Sequence, residues 1–435
     1  EENMDRTIQE TARTTPVGGD FDVIVAGGGP AGFAAAVSAA REGAKTLLLE
    51  QTGAVGGIAT SGLMSHWAGS ADSSILKEIY DRSTQPGPEE KFPHRGTINP
   101  ERLKFIMLEM LFEAKVDVLL YTFVSDVVKE GDAVRGVIVE NKSGRNAYTA
   151  KTVIDATGDG DVAARAGAAF QKGREGDGKM QPVTIMFKIG SVDYARAVFP
   201  GGFEDNREIP KGNGQDLSRA ALPFPAGHTL LYQSSLPGIV TVNMTNYIGI
   251  DGTNAADLTK AEYECRKQMD PIVRFLRENV PGYEHCFIVS TASLIGVRET
   301  RHVLGEYTLT EDDILAARVF DDWVVLRAKF NFDIHNIDGP GLDKHGAQKH
   351  FPNISGYSIP YRSLVPKTID GLLLAGRCIS GTHKAHSNYR VMPICAAMGE
   401  AAGIAGALAA KKGIAVRNVD VSQIQTILNA RGIHL

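Results

Sequence analysis

Three stretches of the 435-residue chain carry side chains able to move protons or hold anions. In "KFNFDIHNIDG", Asp333 and His335 stand two residues apart, which in an extended strand puts both on one face. An acid beside an imidazole orients the ring or raises its pKa, so His335 is the leading candidate for proton transfer. An ordinary structural Asp–His pair accounts for the same residues equally well. In "GVRETRH", Arg298, Arg301 and His302 cluster at a turn. Arg298 reads either as a clamp for an anion or as a member of an ion-pair network with Glu299 or Glu306; for Arg301 the network is favoured. In "GRCISGTHKAHSNYRVMP", Gly376 to Pro393, a run of polar side chains precedes an almost wholly apolar one. His386 and Arg390 are candidates for ligand contact. His383 and Lys384 fit a solvated loop equally well.

Such residues need a frame, and the front of the chain supplies it. Phe21 to Ala26 read as a buried strand, Gly32 to Arg41 as a small-residue helix ended by Gly43, and Lys45 to Leu49 as a second buried strand. Between strand and helix, Gly27, Gly29 and Gly32 have the G-x-G-x-x-G spacing. Gly27 permits the tight turn, Gly29 lets backbone approach a pyrophosphate, and Gly32 lets helix and strand pack closely. Pro30 and Ala31, within the motif, join the cofactor-binding candidates, and the free N–H groups and positive dipole end of the helix suit phosphates. Glu50, next to Gln51, falls eighteen residues past Gly32 and is placed to accept from a ribose diol. A carboxylate there repels a 2′-phosphate. A dinucleotide without that phosphate is therefore expected.

Bulk properties narrow the rest. At 435 residues, two or three structural units are expected, and with 43% hydrophobic and 22% charged residues the composition is that of a soluble globular protein. A net charge of −5 without a basic tract argues against nucleic acid as a partner. The apolar run Ile394 to Ala410 is interrupted by Glu400 and is too short and alanine-rich for a membrane span. Cys265, Cys286, Cys378 and Cys395 lie far apart with no C-x-x-C, so no metal site and no dithiol pair is expected. So few cysteines fit a reducing, cytoplasmic location, although a removed targeting segment is compatible with the polar start. Residues 1–19 read as a tail, free or packed on a second copy in a homo-oligomer.

Several segments go beyond this pattern. "LLLEQTGAVGGIATSGLMS" places Gly56 and Gly57 after the ribose acid. "DATGDGD", with Asp155, Ala156, Thr157, Gly158 and Asp161, has a second glycine-rich approach to a dinucleotide. With "IGVRETRHVLGEYTLTEDD", "IPYRSLVPK" and "LLLAGRCIS…RVMPICAAMGEAAG", they make the chain from about Phe21 to Gly413 resemble the FAD-dependent oxidoreductases of the glutathione-reductase-like flavin superfamily. These are distantly related to the succinate dehydrogenase and fumarate reductase flavoproteins. The resemblance implies an α/β fold: a Rossmann-like FAD-binding domain with a parallel sheet and β-meander, formed by residues 20–170 and 354–435, plus an inserted α+β substrate domain, 171–353. It also implies that Val124, Gly376, Arg377, Met392 and Pro393 lie beside the cofactor, with the last helix aimed at the flavin pyrimidine. His66 joins the catalytic candidates. It follows Gly56 and Gly57 rather than preceding a glycine run, so FAD is expected to be bound non-covalently. The family pattern leads us to expect arginine where this chain has His302.

What the resemblance implies is an enzyme, a dehydrogenase or reductase that moves hydride between flavin N5 and a small polar organic substrate, with an unknown electron partner. The alternatives are a flavin monooxygenase and, in another class, an RNA-modifying or redox-sensing flavoprotein. No second G-x-G-x-x-G and no W-x-W-x-I-P run is present, which counts against a disulfide reductase and a flavin halogenase.

Overall fold

The computed structural model describes residues 7–85, 87, 89–93, 96–203, 205–343 and 355–435. His345 and His350, expected on a surface loop, lie outside them. The first third contains β1 (Val17–Ala26), α1 (Pro30–Arg41), β2 (Thr46–Leu49), α2 (Ser74–Ser83), α3 (Pro100–Glu113), β3 (Asp117–Leu119), β4 (Phe123–Glu130), β5 (Ala133–Asn141), β6 (Gly144–Asp155) and α4 (Asp161–Ala166). The middle contains β7 (Phe170–Lys172), β8 (Phe187–Gly190), β9 (Glu208–Ile209), β10 (Gly212–Asn213), α5 (Gly214–Ala221), β11 (Leu231–Gln233), β12 (Val240–Val242), α6 (Ala255–Asn279), β13 (Phe287–Thr291), β14 (Arg301–Val303), α7 (Glu311–Leu315) and β15 (Trp323–Ala328). The chain ends with β16 (Tyr357–Pro360), β17 (Leu372–Leu374), α8 (His383–Tyr389), α9 (Met392–Lys412) and α10 (Val421–Ala430).

The main sheet runs β3-β2-β1-β6-β5-β4, with β17 also on β6. β1, β2, β3, β6 and β17 pair in parallel, whereas β4, β5 and β6 form an antiparallel meander. One long strand serves both parts. The start of β6, Gly144 to Thr149, pairs with β5, and its end, Val153 to Asp155, pairs with β17. This is the expected Rossmann-like α/β architecture. The N-terminal tail is shorter than 1–19, because Val17 to Gly19 already lie in β1 against β6.

The apolar run before Gly413 is α9, buried against α1 and the sheet. A Cβ on Gly399 would lie 1.9 Å from the Ala31 carbonyl oxygen, and one on Gly403 2.3 Å from that of Ala35. Small residues let the two helices touch backbone to backbone. This helix is long and apolar enough to cross a membrane, but 94% of its most apolar window is covered by protein. Glu400, fully buried within it, accepts from Ser73 Oγ at 2.6 Å and Ser74 N at 2.9 Å at the start of α2, and pairs with Arg431 at 2.9 Å. Its charge thus serves as a helix cap and a tie to the C-terminus.

A second core lies in the middle segment. The sheet β11-β12-β8-β13 packs its apolar face on α6, joining Phe187, Ile189, Val240 and Val242 to Met269, Ile272 and Leu276. α6 is amphipathic over its full 25 residues and is capped by the Asn254 side chain. This core runs from Ile185 to Ala292 with Leu63, whereas Val303, Trp323 and Phe332 join the first core. The inserted unit is therefore smaller than residues 171–353, because the last part of that range packs back onto the flavin-type sheet.

Candidate active site

A cavity of about 650 Å3 runs from the β1–α1 turn to the second core. Of the predicted cofactor residues, Gly27, Gly29, Pro30, Ala31, Glu50, Gln51, Gly57, Val124, Ala156, Thr157, Gly158, Asp161, Gly376, Arg377 and Met392 line it. Gly32, Gly56 and Pro393 do not line it; they shape the wall from behind. A Cβ on Gly32 would sit 1.8 Å from the Gly27 carbonyl oxygen, and Gly56, at φ 105°, donates its N–H to Gly28 O at 2.7 Å. Pro393 is the second residue of α9, after N-cap Val391 and Met392.

The wall is built to meet an anionic dinucleotide. α1 starts at Gly29 with no side-chain cap and no acid in its first turn, and a Cβ on Gly29 would meet nothing within 4 Å. Its first N–H groups therefore open onto the cavity. The start of α9 is also uncapped and acid-free, with Val391, Met392 and Cys395 on the wall. Glu50, buried, accepts from Gly28 N through Oε2 and from Thr52 N through Oε1, both at 2.8 Å. Each oxygen keeps lone pairs for a diol. Arg377 pairs with Asp159 at 3.0 Å and keeps one buried guanidinium nitrogen without a partner. Asp155 accepts from Thr157 N, Thr157 Oγ1 and Ala163 N, and so ties the second glycine loop to α4. Burial pushes its carboxyl up to about 6 against those bonds. Open helix ends, a fixed acid and glycine-lined passages fit FAD.

Toward the second core, the cavity wall carries His66, Arg298, His335 and Arg390. The Asp333–His335 pair forms, with Oδ2 3.3 Å from Nε2, although residues 330–335 make no regular strand. Arg390 donates to the Asp333 carbonyl at 2.9 Å and its carboxylate at 2.7 Å. Burial works to raise the Asp333 pKa, but His335, Arg390 and Arg298 outweigh it and hold the group well below the usual carboxylate range. Burial, aided by Arg298, pushes the His335 ring down to about 4 although Asp333 opposes this. Arg298 is buried and donates to Pro182 O at 2.6 Å. Burial and Arg390 push it down to about 10, so it stays charged at neutral pH.

His386 does not reach the cavity. Residues 383–389, expected as a loop, are α8, and His383, His386, Ser387 and Asn388 are buried in it. Arg301 takes the ion-pair role favoured for it, but with Asp161 at 2.9 Å rather than with Glu299 or Glu306, which pair with His302 and His383 and with Arg417, respectively. Sequence reasoning missed Tyr232, whose ring stacks on His66 at 5.1 Å and 11°, and Phe203, edge-on to His335 at 4.8 Å. Both line the cavity, and neither stands in a spacing that marks it. It also missed Asp159, although "DATGDGD" contains it.

A sequence model of the family described as FAD dependent oxidoreductase matches residues 22–428. The chain belongs to that family. As an FAD-dependent oxidoreductase it is an enzyme with FAD as its cofactor, and the cavity above is where its residues fit that group. Among solved structures, it is similar to a geranylgeranyl bacteriochlorophyll reductase-like protein from Thermoplasma acidophilum at 15% identity, over 95% of this chain and 84% of that one, with a TM-score of 0.47. It is similar to a flavin-dependent brominase at 12% identity, over 94% and 83% of the two chains, with a TM-score of 0.47. A third is p-nitrophenol 4-monooxygenase from Pseudomonas putida, at 13% identity over 66% of this chain and 70% of that one, with a TM-score of 0.42.

Proposed function

We propose that this oxidoreductase dehydrogenates a small organic anion, a hydroxy or amino carboxylate, held by Arg298 and Arg390. The observation that carries the reading is Arg298. It is 8% exposed, lines the cavity, and among the described residues has no carboxylate within 4.0 Å. A buried guanidinium satisfied only by a backbone carbonyl is costly unless an anion completes it. Arg390, fixed by Asp333, supplies a second cation on the same wall.

FAD, when bound, supplies a two-electron acceptor for the substrate's C–H hydride. The chain's own part is orientation and proton handling. His335 donates Nε2–H to Asp333, which leaves Nδ1 as the basic nitrogen. The ring is neutral at pH 7, so it is ready to take the substrate's O–H or N–H proton rather than to give one. Phe203, Tyr232 and His66 line the cavity beside this group. FAD is held non-covalently in this reading.

Anaerobic bleaching of the purified flavoprotein tests it. A panel pairs hydroxy and amino carboxylates with the matching neutral alcohols and amines. Bleaching by carboxylates, with Arg298→Met bleaching far more slowly at equal FAD content, is expected. Bleaching by NAD(P)H alone would replace the proposal with a monooxygenase or reductase.

A further inference from the structure

Behind the wall that carries Arg298 and Arg390 lies a second cluster of ligating side chains. Glu299 and His302 stand three residues apart at the start of β14, and His383 and His386 stand three apart on α8. All four are buried, and none lines the cavity. Glu299 Oε1 lies 2.9 Å from His302 Nε2 and 2.6 Å from His383 Nδ1. The His386 ring packs edge-on to His302, centroids 4.7 Å apart. One ligating atom each of Glu299, His302 and His386 falls within 4.8 Å of the others.

Two features separate this cluster from an ordinary ion-pair network. The Nδ1 atoms of His302 and His386 are buried with no hydrogen-bond partner. Nitrogens of this kind are rare in a settled interior. The arginines around Glu299 are also engaged elsewhere: Arg298 on Pro182 O, Arg301 on Asp161, Arg377 on Asp159 and Arg390 on Asp333. Glu299 is left to imidazoles and the Gln181 N–H, at 3.2 Å. Where the family pattern leads us to expect an arginine, His302 puts an imidazole, able to ligate a metal, beside the carboxylate.

We propose that Glu299, His302 and His386, with His383 in reach of the same carboxylate, bind one divalent first-row metal ion of the zinc class. Imidazole and carboxylate without thiolate suit Zn2+, and the carboxylate offsets half its charge. Metal–ligand bonds of about 2.0–2.2 Å put tetrahedral ligand atoms roughly 3.3–3.5 Å apart. The Glu299–His302 separation of 2.9 Å lies below that value and the three ligating atoms all fall within 4.8 Å, so side-chain rotations close the site. The ion would fasten β14 to α8. Arg298 directly precedes Glu299, and Arg390 directly follows α8, so the same ion positions both cavity arginines. It is a positioning site; the reacting groups lie on the other side of the wall.

The test uses the FAD-loaded protein. Metal content per bound FAD is measured after purification and after chelation, and chelated protein is titrated with Zn2+ and, for its ligand-field bands, Co2+. One tightly held ion per chain is expected. His302→Ala and His386→Gln should weaken Zn2+ at least tenfold with FAD content retained, and chelation should weaken binding of a simple carboxylate to the flavoprotein. If a variant loses FAD or fails to fold, the Co2+ titration of the unaltered protein decides: intense bands report the four-coordinate site expected, and weak ones an octahedral ion. No uptake by unaltered protein, octahedral all-oxygen Co2+ bands, or Zn2+ affinity unchanged in His386→Gln would overturn the proposal. The experiment reads metal, not turnover, so its failure leaves the substrate proposal standing.

Discussion

Glu50→Gln tests the dinucleotide assignment with the smallest change of shape. Both Glu50 oxygens accept backbone N–H groups at 2.8 Å, from Gly28 and Thr52, in a site only 7% exposed. Glutamine keeps one acceptor and turns an NH2 toward the other N–H. One charge-assisted bond, worth roughly 1.5–3 kcal/mol, is lost, and the remaining one becomes neutral, worth roughly 0.5–1.5 kcal/mol. Part of this falls on the fold. The bonds to a ribose diol weaken in the same way, by about 1–3 kcal/mol together, so FAD affinity should drop roughly 5- to 150-fold. Titration of apoprotein with FAD, followed by flavin fluorescence, reads this directly, and circular dichroism checks the fold. An FAD affinity equal to that of the unaltered protein would refute the ribose role of Glu50.

Gly399→Ala puts a methyl 1.9 Å from the Ala31 carbonyl oxygen, so α1 and α9 must part; thermal melting should show a loss of about 3 kcal/mol or more, and an unchanged melting point would contradict the packing. Asp333→Asn removes the charged partner of His335 and Arg390, and steady-state kinetics should show kcat/KM lower by roughly 10- to 150-fold with FAD content kept. The pH dependence of stability follows from four buried groups, His228, His335, His386 and Asp155. His228 and His335 are pushed by burial down to about 3 and about 4, so between there and pH 6.5 the unfolded chain binds more protons and each histidine costs stability as pH falls. Asp155, pushed by burial up to about 6, binds its proton earlier in the folded state and opposes one of them. Burial also pushes His386 well below the ordinary histidine value and adds to the loss, so stability should fall by at least about 1.4 kcal/mol per pH unit between about pH 6 and 4, read by denaturant melts across that window.

The dinucleotide half of the fold was legible because its demands are local. Gly32 is fixed by the Gly27 carbonyl oxygen of its own strand–turn–helix unit, Gly27 by a turn at φ 95°, and Pro393 with Gly413 marks the two ends of α9 almost to the residue. The Asp333–His335 pair was also found from spacing, even though its strand does not form a ladder. α8 was hidden because "HKAHSNY" has the composition of a loop. Its polar side chains are instead satisfied by partners remote in sequence: Tyr357 donates to Asn388 at 2.7 Å and Glu299 pairs with His383. The extent of the inserted unit was hidden for a similar reason. Val303, Trp323 and Phe332 look like any other core residues, and only the tertiary fold says which core they join.

The claim that an anion completes Arg298 is open to one direct measurement. A non-reacting carboxylate and its neutral amide are titrated into the FAD-loaded protein and into its Arg298→Met variant, with the flavin absorption spectrum as the readout. Truncating one side of a buried charge pair costs about 2–5 kcal/mol, so carboxylate affinity should fall at least ~30-fold in the variant while the weak amide affinity barely moves. Equal binding of carboxylate and amide, or a carboxylate affinity unaffected by Arg298→Met, would contradict the account.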